Sequence, residues 1–96
     1  MKPSEALARN RQALIDAVYR HRTENPRVFG SVLHGTDSEK SDLDLLVDAL
    51  PGTTLFDIGA LQIELEELLG VQIDVLTPND LSPRFRQIVL SEARFV

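Results

Sequence analysis

Leu7, Leu14, Ile15, Val18 and Tyr19 recur at helical spacing, with Arg9, Arg11, Arg20 and Arg22 largely off that face. The pattern predicts an amphipathic helix from Ser4, its cap, to about Arg22, with Pro3 just outside it. Asn25-Pro26 breaks the chain, since a residue before proline avoids the α region. Arg27-Val28-Phe29 then reads as a short strand ending at Gly30. After the polar stretch Thr36–Ser41, Asp42-Leu43-Asp44-Leu45 alternates strictly, and the run to Asp48 reads as a second strand. Pro51-Gly52 is a turn, and Thr53 or Thr54 can cap a helix to Leu69 with Ile58, Leu61, Leu65, Leu68 and Leu69 as its apolar stripe. Gly70 is the expected left-handed stop. Val71–Leu76 is a third strand, and Ser82-Pro83 opens a last helix with Phe85, Ile88 and Val89 facing inward. The order predicts an α/β fold, a short mixed sheet with helices packed on it, in one domain over residues 1–96.

Composition changes this picture little. The 96 residues are too few for a second core, and there is no internal repeat, low-complexity tract or long linker. No cysteine is present, which excludes a disulfide scaffold, a zinc ribbon and a thiol nucleophile. No apolar run approaches the ~18 residues of a membrane span, and the N-terminus has no signal-peptide core. A cytoplasmic protein is the expectation.

Charge changes it more. The formal net charge is −5, which argues against a nucleic-acid coat; nucleic acid is not the expected direct substrate. Residues 1–29 carry six basic and three acidic groups, residues 30–80 one basic and eleven acidic, and residues 81–96 three basic and one acidic. The acidic middle is either a set of solvated faces or a convergence of acids on a cation.

Three features bear on that choice. Gly30-Ser31 follows a strand, and small residues there let backbone N–H groups approach an anion, although most such pairs are simple turns. Asp42 and Asp44, two apart on a strand, share a face with Cα atoms about 6.6 Å apart. Their repulsion needs a cation or donors to offset it, unless the pair merely keeps a strand edge soluble. Asp74 lies in the otherwise apolar Val71–Leu76, where burial would be costly without a partner. Were the two strands neighbours, the three carboxylates would meet on one face and suit Mg²⁺ or Mn²⁺ rather than zinc. Other motifs fail on spacing: no Gly-Lys-Ser/Thr follows Gly30, the acidic loop lacks an EF-hand glycine, and His21 and His34 show no ligand pattern.

Gly30-Ser31, ten residues, Asp42-x-Asp44 and a later strand aspartate together resemble the Gly-Ser-x10-Asp-x-Asp signature of the DNA polymerase β-like nucleotidyltransferase superfamily. The runs GSVLHGTDSEKSDLDLLVD and VQIDVLTP look like its minimal nucleotidyltransferases, encoded beside HEPN-domain proteins as the antitoxin half of toxin–antitoxin pairs. The resemblance covers about residues 27–90. It implies that Gly30 and Ser31 hold the β/γ-phosphates of a nucleoside triphosphate, and that Asp42 and Asp44 ligate Mg²⁺. Asp74 would be the third carboxylate, shared with a second metal ion and helping to activate the acceptor hydroxyl. Two such ions stabilise the attacking and leaving oxygens of an in-line displacement.

One position departs from the pattern: His34 stands where many relatives carry Arg, and Lys40 and Arg27 are the nearby cations that could substitute. The resemblance implies transfer of AMP from ATP to a hydroxyl, a tyrosine of a partner HEPN ribonuclease toxin. The other class of function is a non-catalytic antitoxin that occludes that partner, its acidic site vestigial; the intact set Ser31, Asp42, Asp44 and Asp74 favours the enzyme.

Overall fold

A computed structural model describes residues 1–96. Helix α1 (Pro3–Arg20) leads into β1 (Thr23–Phe29), the short α2 (Gly30–His34) and β2 (Leu43–Ala49). Helix α3 (Leu55–Leu69), β3 (Ile73–Leu76), a 3-10 turn (Pro78–Asp80), α4 (Pro83–Glu92) and β4 (Arg94–Phe95) follow. The sheet runs β3-β2-β1-β4. β1 is antiparallel to both β2 and β4, while β2 and β3 are parallel, joined by α3 as the crossover.

Alternation along the strands sets the layers. Leu43, Leu45 and Val47 of β2 pack with Val28, Ile73 and Val75 against Leu7, Leu14 and Val18 of α1 and Leu61, Leu65 and Leu69 of α3. The opposite face therefore carries Asp44, Leu46, Asp48 and Asp74. With the two long helices on one face only, the molecule is 18 Å thick in its shortest dimension.

The ends of α3 follow the sequence. Thr54 caps it in a reciprocal box with Asp57: the Thr54 N–H donates to Asp57 (2.8 Å) and the Asp57 N–H to the Thr54 hydroxyl (3.3 Å). Gly70 closes it at φ 71°.

Elsewhere the expectations need correction. The cap of α1 is Lys2, not Ser4, and Pro3 sits inside the first turn, where its fixed φ suits the helix. The helix is kinked at Asn10, whose side-chain amide donates to the Ala6 carbonyl. Asn25-Pro26 is not a break between elements but a bulge inside β1, where the missing proline N–H falls out of the ladder. Asn25 takes a left-handed φ of 54° there and donates to Asp48 (2.9 Å). Leu68 and Tyr19 are exposed, lying just outside their helices' buried stripes. Phe85 (57% exposed) and Ile88 (51%) of α4 do not face the core. That helix is moored through Arg86, which donates to the carbonyls of Pro78 (2.8 Å) and Leu81 (3.0 Å), so its apolar side stays open.

Candidate active site

The site is built where three strands present one edge of their open face. β2 aligns Asp44 with Asp74 of β3 on one side and with Phe29 of β1 on the other. Directly paired residues point to the same face, so the Asp44 and Asp74 carboxylates, from Cα atoms about 4.8 Å apart, emerge side by side. Asp42 lies just ahead of β2 with the same parity and is half-buried, like Asp44. Asp74 is exposed, because β3 is the sheet's edge; the burial cost expected for it is not incurred.

Gly30 follows Phe29 directly and turns the chain from β1 into α2 at φ 71°. A Cβ placed on it would run into the Asp44 carboxylate. Glycine is required here twice over, by its φ and by the carboxylate against it. Ser31 continues the turn, partly buried, and its carbonyl accepts the Thr36 N–H (3.0 Å), which folds the segment back past Gly35.

Electrostatically the three carboxylates are uncompensated. None is in an ion pair within the chain. Burial, then the charge of Asp74, then that of Asp42 push the Asp44 carboxyl above its ordinary range. No three acidic or imidazole side chains are drawn into chelating geometry as they stand. The donor set is oxygen only, negatively charged and unpartnered. That fits a hard divalent cation such as Mg²⁺ or Mn²⁺ and gives zinc no soft ligand.

Asp48, two residues beyond Leu46 on the same strand, is the contrast. Its carboxylate is held by Arg27 at 2.6 Å and by Asn25 at 2.9 Å. Arg27 is thus committed to Asp48 and does not replace a phosphate-binding arginine. His34 faces Glu92 of α4 at 3.4 Å. Lys40 is exposed beside Asp42, and both line an open depression of about 450 Å³ with Ser41, Gly70 and Gln72.

Two supports of the site have no signal in the sequence pattern. Gln62 and Glu66 of α3 accept the outward N–H groups of Val75 (3.3 Å) and Ile73 (3.1 Å), fixing β3 on both sides of Asp74. Asp37 accepts the Ser4 N–H of α1 at 2.9 Å across 33 positions of sequence. Both depend on the tertiary fold.

Residues 14–96 match the family model described as Nucleotidyltransferase domain. The chain belongs to this nucleotidyltransferase family. It is 36% identical over 83 residues to a Methanocaldococcus jannaschii protein named as a candidate protein adenylyltransferase, covering 86% of this chain and 89% of that one. It is likewise 36% identical over 69 residues to the protein adenylyltransferase MntA of Thermococcus cleftensis, covering 72% of this chain and 70% of that one. A solved structure described as a candidate minimal nucleotidyltransferase superposes with a TM-score of 0.88 at 44% identity, over 97% of this chain and 95% of that one. A toxin–antitoxin complex with AMP-PNP shares the fold at a TM-score of 0.76 and 22% identity, over 90% of this chain and 71% of that one. The protein is a nucleotidyltransferase enzyme with the minimal nucleotidyltransferase fold.

Proposed function

We propose that the chain is an Mg²⁺-dependent adenylyltransferase that moves AMP from ATP to a tyrosine hydroxyl of a HEPN ribonuclease toxin and so acts as its antitoxin. The observation that carries this reading is the register of Asp44 with Asp74, with Asp42 adding its charge and Gly30 packed on Asp44. The names of the adenylyltransferase relatives and the toxin–antitoxin neighbour support the substrate and the partner.

Asp42 and Asp44 would hold the metal, with Asp74 completing the set for two ions. Bound there, Mg²⁺ supplies charge neutralisation for the triphosphate and for the entering and leaving oxygens. Gly30 leaves the backbone open for the β/γ-phosphates, and Ser31 offers them a hydroxyl. Asp74, exposed at the sheet edge, is the carboxylate that an incoming tyrosine hydroxyl reaches, and it helps draw off the proton. The acceptor oxygen bonds to the α-phosphorus as the bond to pyrophosphate breaks. A site this open on one side suits an acceptor carried by a bound protein, which supplies the missing wall.

The test is intact-mass spectrometry of the HEPN toxin after incubation with this protein, Mg²⁺ and ATP. We expect added mass in units of AMP, absent with Asp44→Asn. An unmodified toxin held in a stable, ribonuclease-inactive complex would instead mean occlusion without catalysis.

A further inference from the structure

The first turn of α1 gives a complete account of its backbone donors, and one of them leads to the site. Pro3 has no N–H, and the N–H groups of Glu5 and Ala6 both reach the Lys2 carbonyl at 3.0 Å. Lys2 provides no side-chain cap. The Ser4 N–H is satisfied by Asp37 Oδ2, at 2.9 Å, from a loop 33 residues away. Asp37 thus performs from a distance the task that an N-cap side chain performs locally. That bond is the foremost reason its carboxyl lies below the usual range, with the nearby Lys2 charge a minor contributor.

The loop held in this way runs from Thr36 to Asp42. At its start, Thr36 is bonded back to Ser31 (3.0 Å). In its middle, the Ser41 N–H donates to the Ser38 carbonyl (3.0 Å) and the Ser38 N–H to the Ser41 hydroxyl (2.8 Å). These bonds are internal to the loop and its flank. Two contacts tie it to the N-terminal segment: the Asp37–Ser4 bond to α1 itself and a longer pairing of the Met1 ammonium ahead of the helix with Glu39 (3.7 Å). Glu39 is 77% exposed, and so open a pair holds little. The post itself is firm, since Ala6 and Leu7 just beyond Ser4 are buried in the core.

We propose that Asp37 is a positioning residue for Asp42: by capping α1 from the metal-side loop, it fixes where that loop delivers the Asp42 carboxylate. The inference rests on the metal-dependent function proposed above. It assigns Asp37 no contact with metal or nucleotide. It does predict that α1, which contributes no side chain to the site, sets the site's metal affinity through one backbone N–H.

Three variants test it. Asp37→Ala removes the acceptor, and Asp37→Asn keeps an oxygen but not the charge. Ser4→Pro removes the donor within the first turn and also presses Pro3 away from the α region. Mn²⁺ binding followed by electron paramagnetic resonance should weaken about tenfold in Asp37→Ala, as for other groups that orient metal ligands. Asp37→Asn should fall between it and the wild type, and Ser4→Pro should weaken binding at least as much as Asp37→Ala. The double variant should be no weaker than Ser4→Pro alone. The half-saturating Mg²⁺ for AMP transfer should rise in parallel, while the rate at saturating Mg²⁺ stays near that of the wild type. Hydrogen exchange in the metal-free protein should quicken at residues 36–42 in Asp37→Ala.

A packing variant on the same helix, Val18→Ala, should lower the melting temperature without moving Mn²⁺ affinity. Wild-type affinity and wild-type loop exchange in Asp37→Ala would overturn the proposal. A wild-type protein that neither binds Mn²⁺ nor transfers AMP would sink the metal-dependent function instead. Loop exchange would then judge the anchor alone, and unchanged exchange in Asp37→Ala would overturn it.

Discussion

Asp44 is the residue for which the fold gives up stability. It is half-buried, flanked by Asp74 and Asp42, and has no cation within the chain, so its carboxyl is pushed upward. A carboxyl that holds its proton more tightly folded than unfolded makes stability fall as pH rises from the ordinary carboxylate range through the folded-state value. Asp44→Asn should therefore raise the melting temperature by a few degrees at neutral pH. The gain should shrink below the ordinary carboxylate range, and AMP transfer should be lost throughout. Thermal melts of both proteins across pH check the sign. Gly30→Ala tests the same contact from the other side. Its left-handed φ costs about 1–2 kcal/mol for any L side chain, and the added methyl must displace the Asp44 carboxylate. Denaturant titration should show at least that loss, and activity should fall with it. Gly30 and Asp44 were both legible in the sequence as a spaced pair. Their direct contact was not, because it depends on β1 and β2 aligning Phe29 with Asp44.

At the scale of elements, α3 is both the crossover and the clamp. Its cap, its αL stop and the buried Leu61, Leu65 and Leu69 were readable because each depends on residues within a few positions of one another. Leu65 is fully buried; Leu65→Ala should cost about 2–5 kcal/mol in chemical denaturation, with the spread set by how far the cavity collapses. The bulge at Asn25-Pro26 was not readable. Proline's local preference argues for a break, and only the partner strand, through Asp48, favours a bulge. The short α2 escaped notice because five residues carry too little periodicity to register. The apolar face of α4 has helical spacing but no core within reach: the moorings of Arg86 hold it on the 3-10 turn. Spacing reports that a face is apolar, not that something covers it.

Across the whole molecule, the acids of the sequence's middle are sorted by partner: Asp37, Asp57 and Glu66 accept backbone N–H groups, and two others are held by arginine. Asp48 and Glu64 are held by Arg27 and Arg20, both at 2.6 Å, and are structural. Asp42, Asp44 and Asp74 are left without counter-ions. Composition could not separate these groups, since the sorting is done by β-register and by which arginine or backbone N–H the neighbouring helix or strand brings near. A ligand that supplies the missing positive charge should stabilise the whole fold. Mg²⁺ with ATP at a hundredfold above its Kd should add about 2.7 kcal/mol, read as a rise in melting temperature that Asp44→Asn abolishes. The parallel pairing of β2 with β3 has one further consequence. Asp44 and Asp74 are thirty residues apart in the chain and meet only when β3 docks. On the ribosome, a growing chain that has exposed Asp42 and Asp44 is still without its third carboxylate. With the three carboxylates acting together as proposed, catalysis would begin only after the α3 crossover has emerged and closed, so the order of synthesis itself would withhold activity from an unfinished enzyme.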